Sequence, residues 1–505
     1  MDRTEGRYFV MALEMHRSGD YVTPQFWERG EFTPFLGKPP LALWLEAGAF
    51  ALFGVSEAAA RLPSFLAGLA MIALVYALAR RHYGAEVAWL AALIMTTSVL
   101  FQTLFCAVIM DVFAALCATG IVVSFARAGE PTRTPWRHFF FAWLGLGMLA
   151  KGPIVIVLSL GPILAWCLWQ HEWRRLRELP WVTGSLLASA IFLPWYICAE
   201  RANPGFLQYF FVHEHLGRFL LSDYGDRYGT GHEVPYGSIC VYLLAALVPW
   251  TLLLSHKGFL ASVRARGWPR GAELLMLLWG LAPVAFFIPS RNVLPTYLLP
   301  GLGGLAIWLA RALVAAIEER RLRAPGLALV AAPQLSILVA AIVALIWFRA
   351  SAVWVGAAVV VAACSVRYIV VAVRRDSCAL LFASSALAMA AGLLFAWPAF
   401  GLIVERDNST RAAMQLALDQ LGDSRGQVIV TFRGYDSMGY YGQDRLQFVA
   451  GLEPHVLEPA LTNATRDVYI IKESSIVVLS ADVRARIERV GRVGRLCVYR
   501  EVAGP

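Results

Sequence analysis

Twelve apolar stretches constrain this chain more than any other feature. They run at roughly 61–80, 86–107, 111–126, 138–150, 152–170, 181–199, 237–255, 272–289, 293–310, 325–348, 352–373 and 378–403. A helix needs about 20 apolar residues to cross a bilayer, and most of these stretches reach or approach that length. The chain is therefore expected to be a polytopic α-helical membrane protein with about 12 transmembrane helices. A 58% hydrophobic content with only 16% charged residues excludes an ordinary soluble domain.

The connections give the segments a direction. Arg80 and Arg81, then Arg127, Arg133 and Arg137, then Arg174, Arg175 and Arg177 fall in every second loop, as do Lys257, Arg264, Arg266 and Arg270. Arg311, Arg320, Arg321 and Arg323, and finally Arg374 and Arg375, continue the alternation. Basic loops stay on the cytoplasmic side. The other side is then expected to hold a first extracytoplasmic loop with juxtamembrane helices at 1–60, the turns near 108–111 and 151, the loop 200–236, the turn 290–292 and everything after 403. The transmembrane bundle proper occupies 61–403.

The net charge of +9 is accounted for by these loop arginines, so no nucleic-acid partner is expected. Of the eight cysteines, all but Cys497 lie in or at the ends of apolar segments, which leaves no disulfide framework and no zinc-thiolate spacing. Composition changes after Val404. Residues 404–505 are polar, with a helical pattern at about 409–421 and another at 480–490. Strand-like runs lie at Gln427–Phe432, Val468–Lys472 and Leu496–Tyr499. A small extracytoplasmic α/β domain of about 100 residues is expected there.

Ionisable residues at membrane depth are costly, and here they gather on one side. Asp2, Glu5 and Arg7 open the first loop, Lys38 precedes Pro39-Pro40, Asp111 starts a helix and Lys151-Gly152-Pro153 separates two others. The loop 200–236 carries Phe211 through Arg218 with His213-Glu214-His215 at its centre. Each has a bland reading. Asp111 can be a helix N-cap, Lys151 a snorkelling lysine at a helix break, and a lone His-x-His is a weak metal signal. Their common sidedness favours a shared site, because unrelated snorkelling charges distribute over both surfaces.

The ordered motifs resemble a known family. Glu5-Gly6-Arg7-Tyr8, Ser18 through Pro24, Lys38-Pro39-Pro40-Leu41, Phe53 through Glu57, Ala60 through Ser64, Lys151-Gly152-Pro153, Leu193-Pro194-Trp195-Tyr196, Asn203 through Phe206 and Tyr209 through Phe219 are similar to the bacterial ArnT-like glycosyltransferases. These are relatives of the lipid A aminoarabinose transferase and the protein O-mannosyltransferases. A looser match, Ser290 through Tyr297, corresponds to that family's Lys-Leu-Pro-x-Tyr turn. The resemblance implies a GT-C fold in the bacterial inner membrane. Its cavity would open at the extracytoplasmic face and take a polyprenyl-phosphate sugar as donor and a lipid A, other glycan or lipid as acceptor.

The chemistry of such a transfer fits the residue types. Charge grows on the phosphate of the leaving lipid, and cations stabilise it, so Lys38, Lys151 and Arg218, with Tyr297, are expected to bind the donor phosphate. An acceptor hydroxyl needs a carboxylate to take its proton, which nominates Asp2 and Glu5, with Asp111 in support. The resemblance also implies a divalent metal near His213 or His215.

This chain departs from the pattern in four places. Thr4-Glu5 stands where the family has Asp-Glu, so Asp2 is the expected substitute. Gly37 stands where a metal-holding glutamate precedes Lys-Pro-Pro, and Val293 replaces a lysine. The family's first transmembrane helix is missing before Met1, which suggests a truncated reading frame with thirteen helices in the complete protein. Two other classes compete with the enzyme: a flippase or transporter of lipid-linked sugars, and an inactive relative that only binds lipid. A flippase is disfavoured because no two halves with broken helices match.

Overall fold

A computed structural model describes residues 4–28, 31–129, 135–217, 219, 233–326, 338–339, 342–343, 345–346, 352–388, 410–422, 426–430, 445–448, 467–473, 476, 479 and 481–501. The first loop is folded. Helix α1 (Thr4–Ser18) carries Glu5 in its first turn and His16 and Arg17 in its last, which suits the helix dipole at both ends. It stops at Gly19, whose φ of +72° closes the turn. Asp20 then turns the chain, its Oδ1 accepting from the N–H groups of Val22 (2.8 Å) and Thr23 (3.1 Å). A two-stranded hairpin follows, β1 (Gln25–Glu28) with β2 (Glu31–Pro34), and then α2 (Leu41–Phe53) after the Lys38-Pro39-Pro40 turn. Helix α1 buries Phe9, Met11, Ala12 and Met15, and Phe9 meets Phe50 of α2 edge-on at 5.1 Å.

Ser56 caps the next helix by accepting from the Ala59 N–H at 3.1 Å, the N-cap pattern that side-chain oxygens favour. That helix, α3 (Glu57–Thr97), joins two expected segments. They bend at Gly84, where φ +87° and ψ 177° are open to glycine alone, three residues after Arg81. The short α4 (Val99–Leu104) leads to α5 (Met110–Ala128), α6 (Trp136–Ala150), α7 (Pro153–Gln170), the short basic α8 (Trp173–Arg177) and α9 (Trp181–Ala202). Two further helices, Gly271–Phe287 and Leu299–Glu318, close the bundle.

The bundle has an inside and an outside. Helix α5 and the helix ending at Glu318 are buried over most of their length, whereas α9 and Ala352–Arg374 expose most of theirs. Exposed apolar residues such as Leu186, Val182 and Val353 are what lipid contact requires. Small residues bring the central helices close. A β-carbon at Gly301 would stand 2.6 Å from the Gly280 carbonyl, and one at Gly304 would stand 2.5 Å from that of Met276.

Among the described residues, six helices are long and apolar enough to span a membrane, and Leu41–Phe53, Gly271–Phe287 and Cys378–Ala388 are shorter apolar helices. The difference from twelve has physical reasons. Two segments merge across Gly84, α6 has 15 residues, and 237–255 divides into Ser238–Ala246 and a 3-10 turn at Trp250–Ser255. The expected segment 325–348 and the later part of 378–403 lie largely outside the described residues.

The tail forms a five-stranded sheet in the order β4 (Leu446–Phe448), β3 (Val428–Val430), β5 (Val468–Lys472), β7 (Leu496–Glu501), β6 (Ile487–Val493). Strand β3 is parallel to β4 and β5, and β7 is antiparallel to β5 and β6. The helix Thr410–Leu421 packs Ala413, Met414 and Ala417 on one face of it. The expected helix at 480–490 is cut short. It covers Ala481–Arg486, and Ile487 onward pairs with β7 instead. A two-residue turn at Gly494-Arg495, with φ +58° at Gly494, folds that hairpin, and the pairing outweighs the local helical pattern.

Candidate active site

The site residues lie where helices begin and end on the side opposite the arginine-rich connections. Asp111 is in the first turn of α5, Lys151 follows the end of α6, and Tyr297 is in the 3-10 turn Pro295–Leu298. Lys38 precedes α2, and the segment Tyr209–Gly217, coiled as a π-helix, brings His213, Glu214 and His215. Two ion pairs form where these meet: Lys151 with Asp111, and Lys38 with Glu214. Glu214 is almost wholly enclosed, whereas the other three keep a small exposed fraction. Asp111 is not the N-cap of α5. Ile109 holds that position without a side-chain cap, and the carboxylate turns to Lys151.

Gly152 explains the Lys151-Gly152-Pro153 sequence. Its φ of +79° with ψ −151° is a glycine conformation, and a β-carbon there would stand 2.7 Å from the Phe210 ring and 3.4 Å from His215 Nε2. Pro153 then opens α7 at the position where a missing N–H costs nothing. The turn thus seats the π-helical segment against Lys151. On its other side the Lys151 ammonium lies 4.5 Å from the centre of the Tyr297 ring, which itself packs at a tilt on Phe287 with ring centres 4.8 Å apart.

These groups border a cavity of about 430 Å³. Lys38, Lys151, Glu214, His215, Ser290, Asn292 and Tyr297 supply its polar wall. Pro153, Ile154, Val157, Leu216, Phe219, Phe286 and Phe287 make the rest apolar. A cavity lined by two lysines and otherwise largely by hydrocarbon suits an amphiphile with an anionic head.

Glu5 stands apart from this wall. Its two oxygens accept from Arg61 Nη1 at 2.8 Å and Nη2 at 3.0 Å, and Oε1 also accepts from the Val108 N–H at 3.1 Å. Arg61 Nη1 donates further to the Cys106 carbonyl at 3.0 Å. Glu5 thereby ties α1 to the start of α3 and to the turn before Asp111. Asp2 and Arg218 lie outside the described residues.

The histidines do not make a metal-binding set. His213 is exposed and stacks on Tyr209. His215 donates from Nδ1 to the Phe210 carbonyl at 2.7 Å, and burial holds its imidazole below the ordinary value, with that carbonyl opposing. Glu214, between them, is engaged with Lys38. Among the described residues no three His, Cys, Asp or Glu side chains converge on one point.

Three residues at or beside the site carry no sequence expectation. Glu214 was obscured by its histidine neighbours, although it is the only acidic residue between Phe206 and Phe219. Tyr8 sits among Asp111, Tyr297 and Glu214. Burial first, then the Asp111 charge, hold its phenol well above the ordinary value, with Arg7 opposing. Glu46, alone in the apolar run Leu41–Phe53, is fully buried, and neither of its oxygens has a hydrogen-bond partner among the described residues.

Comparison with known proteins fits this geometry. A family model described as dolichyl-phosphate-mannose-protein mannosyltransferase matches residues 37–197. The undecaprenyl phosphate-alpha-4-amino-4-deoxy-L-arabinose arabinosyl transferase of Shewanella sediminis is 28% identical over 321 residues, 63% of this chain and 56% of the relative. A second such transferase, from Pseudomonas fluorescens, is 31% identical over 359 residues, 68% of this chain and 57% of its own. The matched regions thus span just over half the length of these curated relatives. The crystal structure of ArnT from Cupriavidus metallidurans bound to undecaprenyl phosphate superposes with a TM-score of 0.75, at 21% identity, over 99% of this chain and 94% of that one. The chain shares the fold of ArnT, a GT-C fold. Its several apolar helices make it a polytopic membrane protein, as the ArnT-like architecture requires.

Proposed function

We propose that this chain is an integral-membrane glycosyltransferase. It moves a sugar from a polyprenyl-phosphate donor to a cell-envelope acceptor, lipid A or another glycan or lipid, at the extracytoplasmic face of the bacterial inner membrane. One observation carries the reading: two lysines from separate elements line one cavity whose wall is otherwise largely apolar. A lipid phosphate is the ligand class with both halves. The named activities of the relatives, which act with undecaprenyl-phosphate-linked aminoarabinose, support it.

Lys38 and Lys151 hold the phosphate, Tyr297 backs Lys151 with its ring, and Arg218 is a further candidate from the segment beside Gly217. In the transfer, the bond between the anomeric carbon and the phosphate oxygen breaks with its electron pair staying on oxygen. The acceptor oxygen then bonds to that carbon and releases its proton. Cations aimed at the phosphate stabilise the charge that grows there. Asp111, in a small pocket that shares Lys151, Ile154, Phe287 and Tyr297 with the cavity, is the candidate to take that proton, because Glu5 is engaged by Arg61 and the Val108 N–H. Asp2 is the alternative base. The domain scheme that accompanies this reading has a first extracytoplasmic loop with juxtamembrane helices at 1–60, a bundle at 61–403 that includes the extracytoplasmic loop 200–236, and an extracytoplasmic α/β domain at 404–505.

The test is reconstitution of the full chain in lipid with polyprenyl-phosphate sugars of several kinds and an extract of envelope lipids. Release of polyprenyl phosphate together with a glycosylated acceptor is the expected result. Movement of intact donor across the bilayer without cleavage would establish a flippase instead.

A further inference from the structure

Both lysines that face the cavity are already neutralised. Lys151 is paired with Asp111 and Lys38 with Glu214, each carboxylate within bonding distance of its ammonium. The pairs come from four separate elements, so neither is a by-product of local sequence. An unpaired lysine attracts an anion in proportion to the charge the anion carries, whereas a lysine held by a carboxylate presents a dipole. The difference matters for lipid phosphates. A sugar-bearing phosphodiester carries one negative charge, and the monoester left after transfer carries close to two above neutral pH. Bare lysines would therefore bind the departing lipid phosphate more tightly than the incoming donor.

We propose that Asp111 and Glu214 act as charge-balancing partners that keep the lysine site from holding a doubly charged phosphate monoester more tightly than a singly charged phosphodiester. The inference rests on the reading of Lys38 and Lys151 as phosphate ligands and adds what their carboxylates do. Each carboxylate lies farther from the phosphate than its ammonium does and so offsets part of the attraction, which leaves stabilisation for the growing charge but weakens the hold on the doubly charged product. Glu214, and Asp111 beside its part in the transfer, thus act on product release, and this effect is on the ratio of two affinities.

The experiment measures binding of farnesyl phosphate and of its O-methyl diester to the full chain in lipid nanodiscs at pH 8, for the wild type and for Asp111→Asn and Glu214→Gln. Both replacements keep side-chain size and the capacity to hydrogen-bond the lysine. Each should raise the affinity for the monoester relative to the diester by about tenfold, the effect of one unit charge at close range in a partly screened site. Turnover assays should show stronger inhibition by added farnesyl phosphate in Glu214→Gln. An unchanged affinity ratio, including the case in which both ligands weaken together, overturns the inference and makes the carboxylates supports for their lysines only. The two variants are independent, so a folding failure in one leaves the other to decide. If the wild type binds neither ligand, the phosphate reading fails and the inference with it. If the wild type binds and the ratio does not move, the inference alone fails.

Discussion

Lys38 and Lys151 reach the same cavity from separate elements, and neutralising either is expected to be costly in turnover. Lys38→Gln and Lys151→Gln, which can still hydrogen-bond their carboxylates, should each lower sugar transfer by at least about tenfold. A charge-assisted hydrogen bond to phosphate is worth roughly 1.5–3 kcal/mol. Transfer rates measured beside size-exclusion profiles separate this from misfolding, and wild-type rates would remove the lysine from the site. Glu46 gives a second expectation at this scale. Burial, and then the neighbouring Glu5 charge, raise its carboxyl well above 4.5. The folded chain therefore keeps a proton that the unfolded chain releases near that pH, and stability falls as pH rises from there through the folded value. Glu46→Gln removes the penalty. Its apparent melting temperature should exceed wild type more at pH 8.5 than at pH 5, and an equal difference at both would show that Glu46 is not the titrating group.

Elements rather than single residues bring these groups together, and the Lys151-Gly152-Pro153 turn shows how. Gly152→Ala forces a side chain into a backbone conformation that L residues rarely adopt and against the Phe210 ring. A cost of about 1–3 kcal/mol is expected. The apparent melting temperature should drop and transfer should slow, because the π-helical segment carrying Glu214 can no longer seat beside Lys151. Full activity in the alanine variant would show that the turn does not position the site. Much of this was legible in sequence. The apolar segments, the break at Lys151, the sidedness of the charges and the helix start at Asp111 all follow from periodicity and residue type. The pairings were not, because Asp111 and Lys151, or Lys38 and Glu214, are joined only through tertiary packing that no local pattern encodes. The hairpin of β6 and β7 was missed for the same reason: strand pairing there overrides a helical run.

At the scale of the whole molecule, the alternation of basic connections makes a definite expectation. Reporter fusions after residue 403 and within 200–236 should report the extracytoplasmic side, and fusions near Arg174 through Arg177 the cytoplasm. A cytoplasmic signal after residue 403 would overturn the orientation. The two most enclosed helices, α5 and Leu299–Glu318, also have a consequence for how the protein is made. They pack on one another and on α3, yet α5 leaves the ribosome long before Leu299 has been synthesised. Until then the face of α5 that will meet the later helix has only lipid or an insertion factor to cover it. The centre of the bundle is thus the last part of its core to be completed, so a chain interrupted before Glu318 would hold an inserted but hollow bundle, open to membrane quality control.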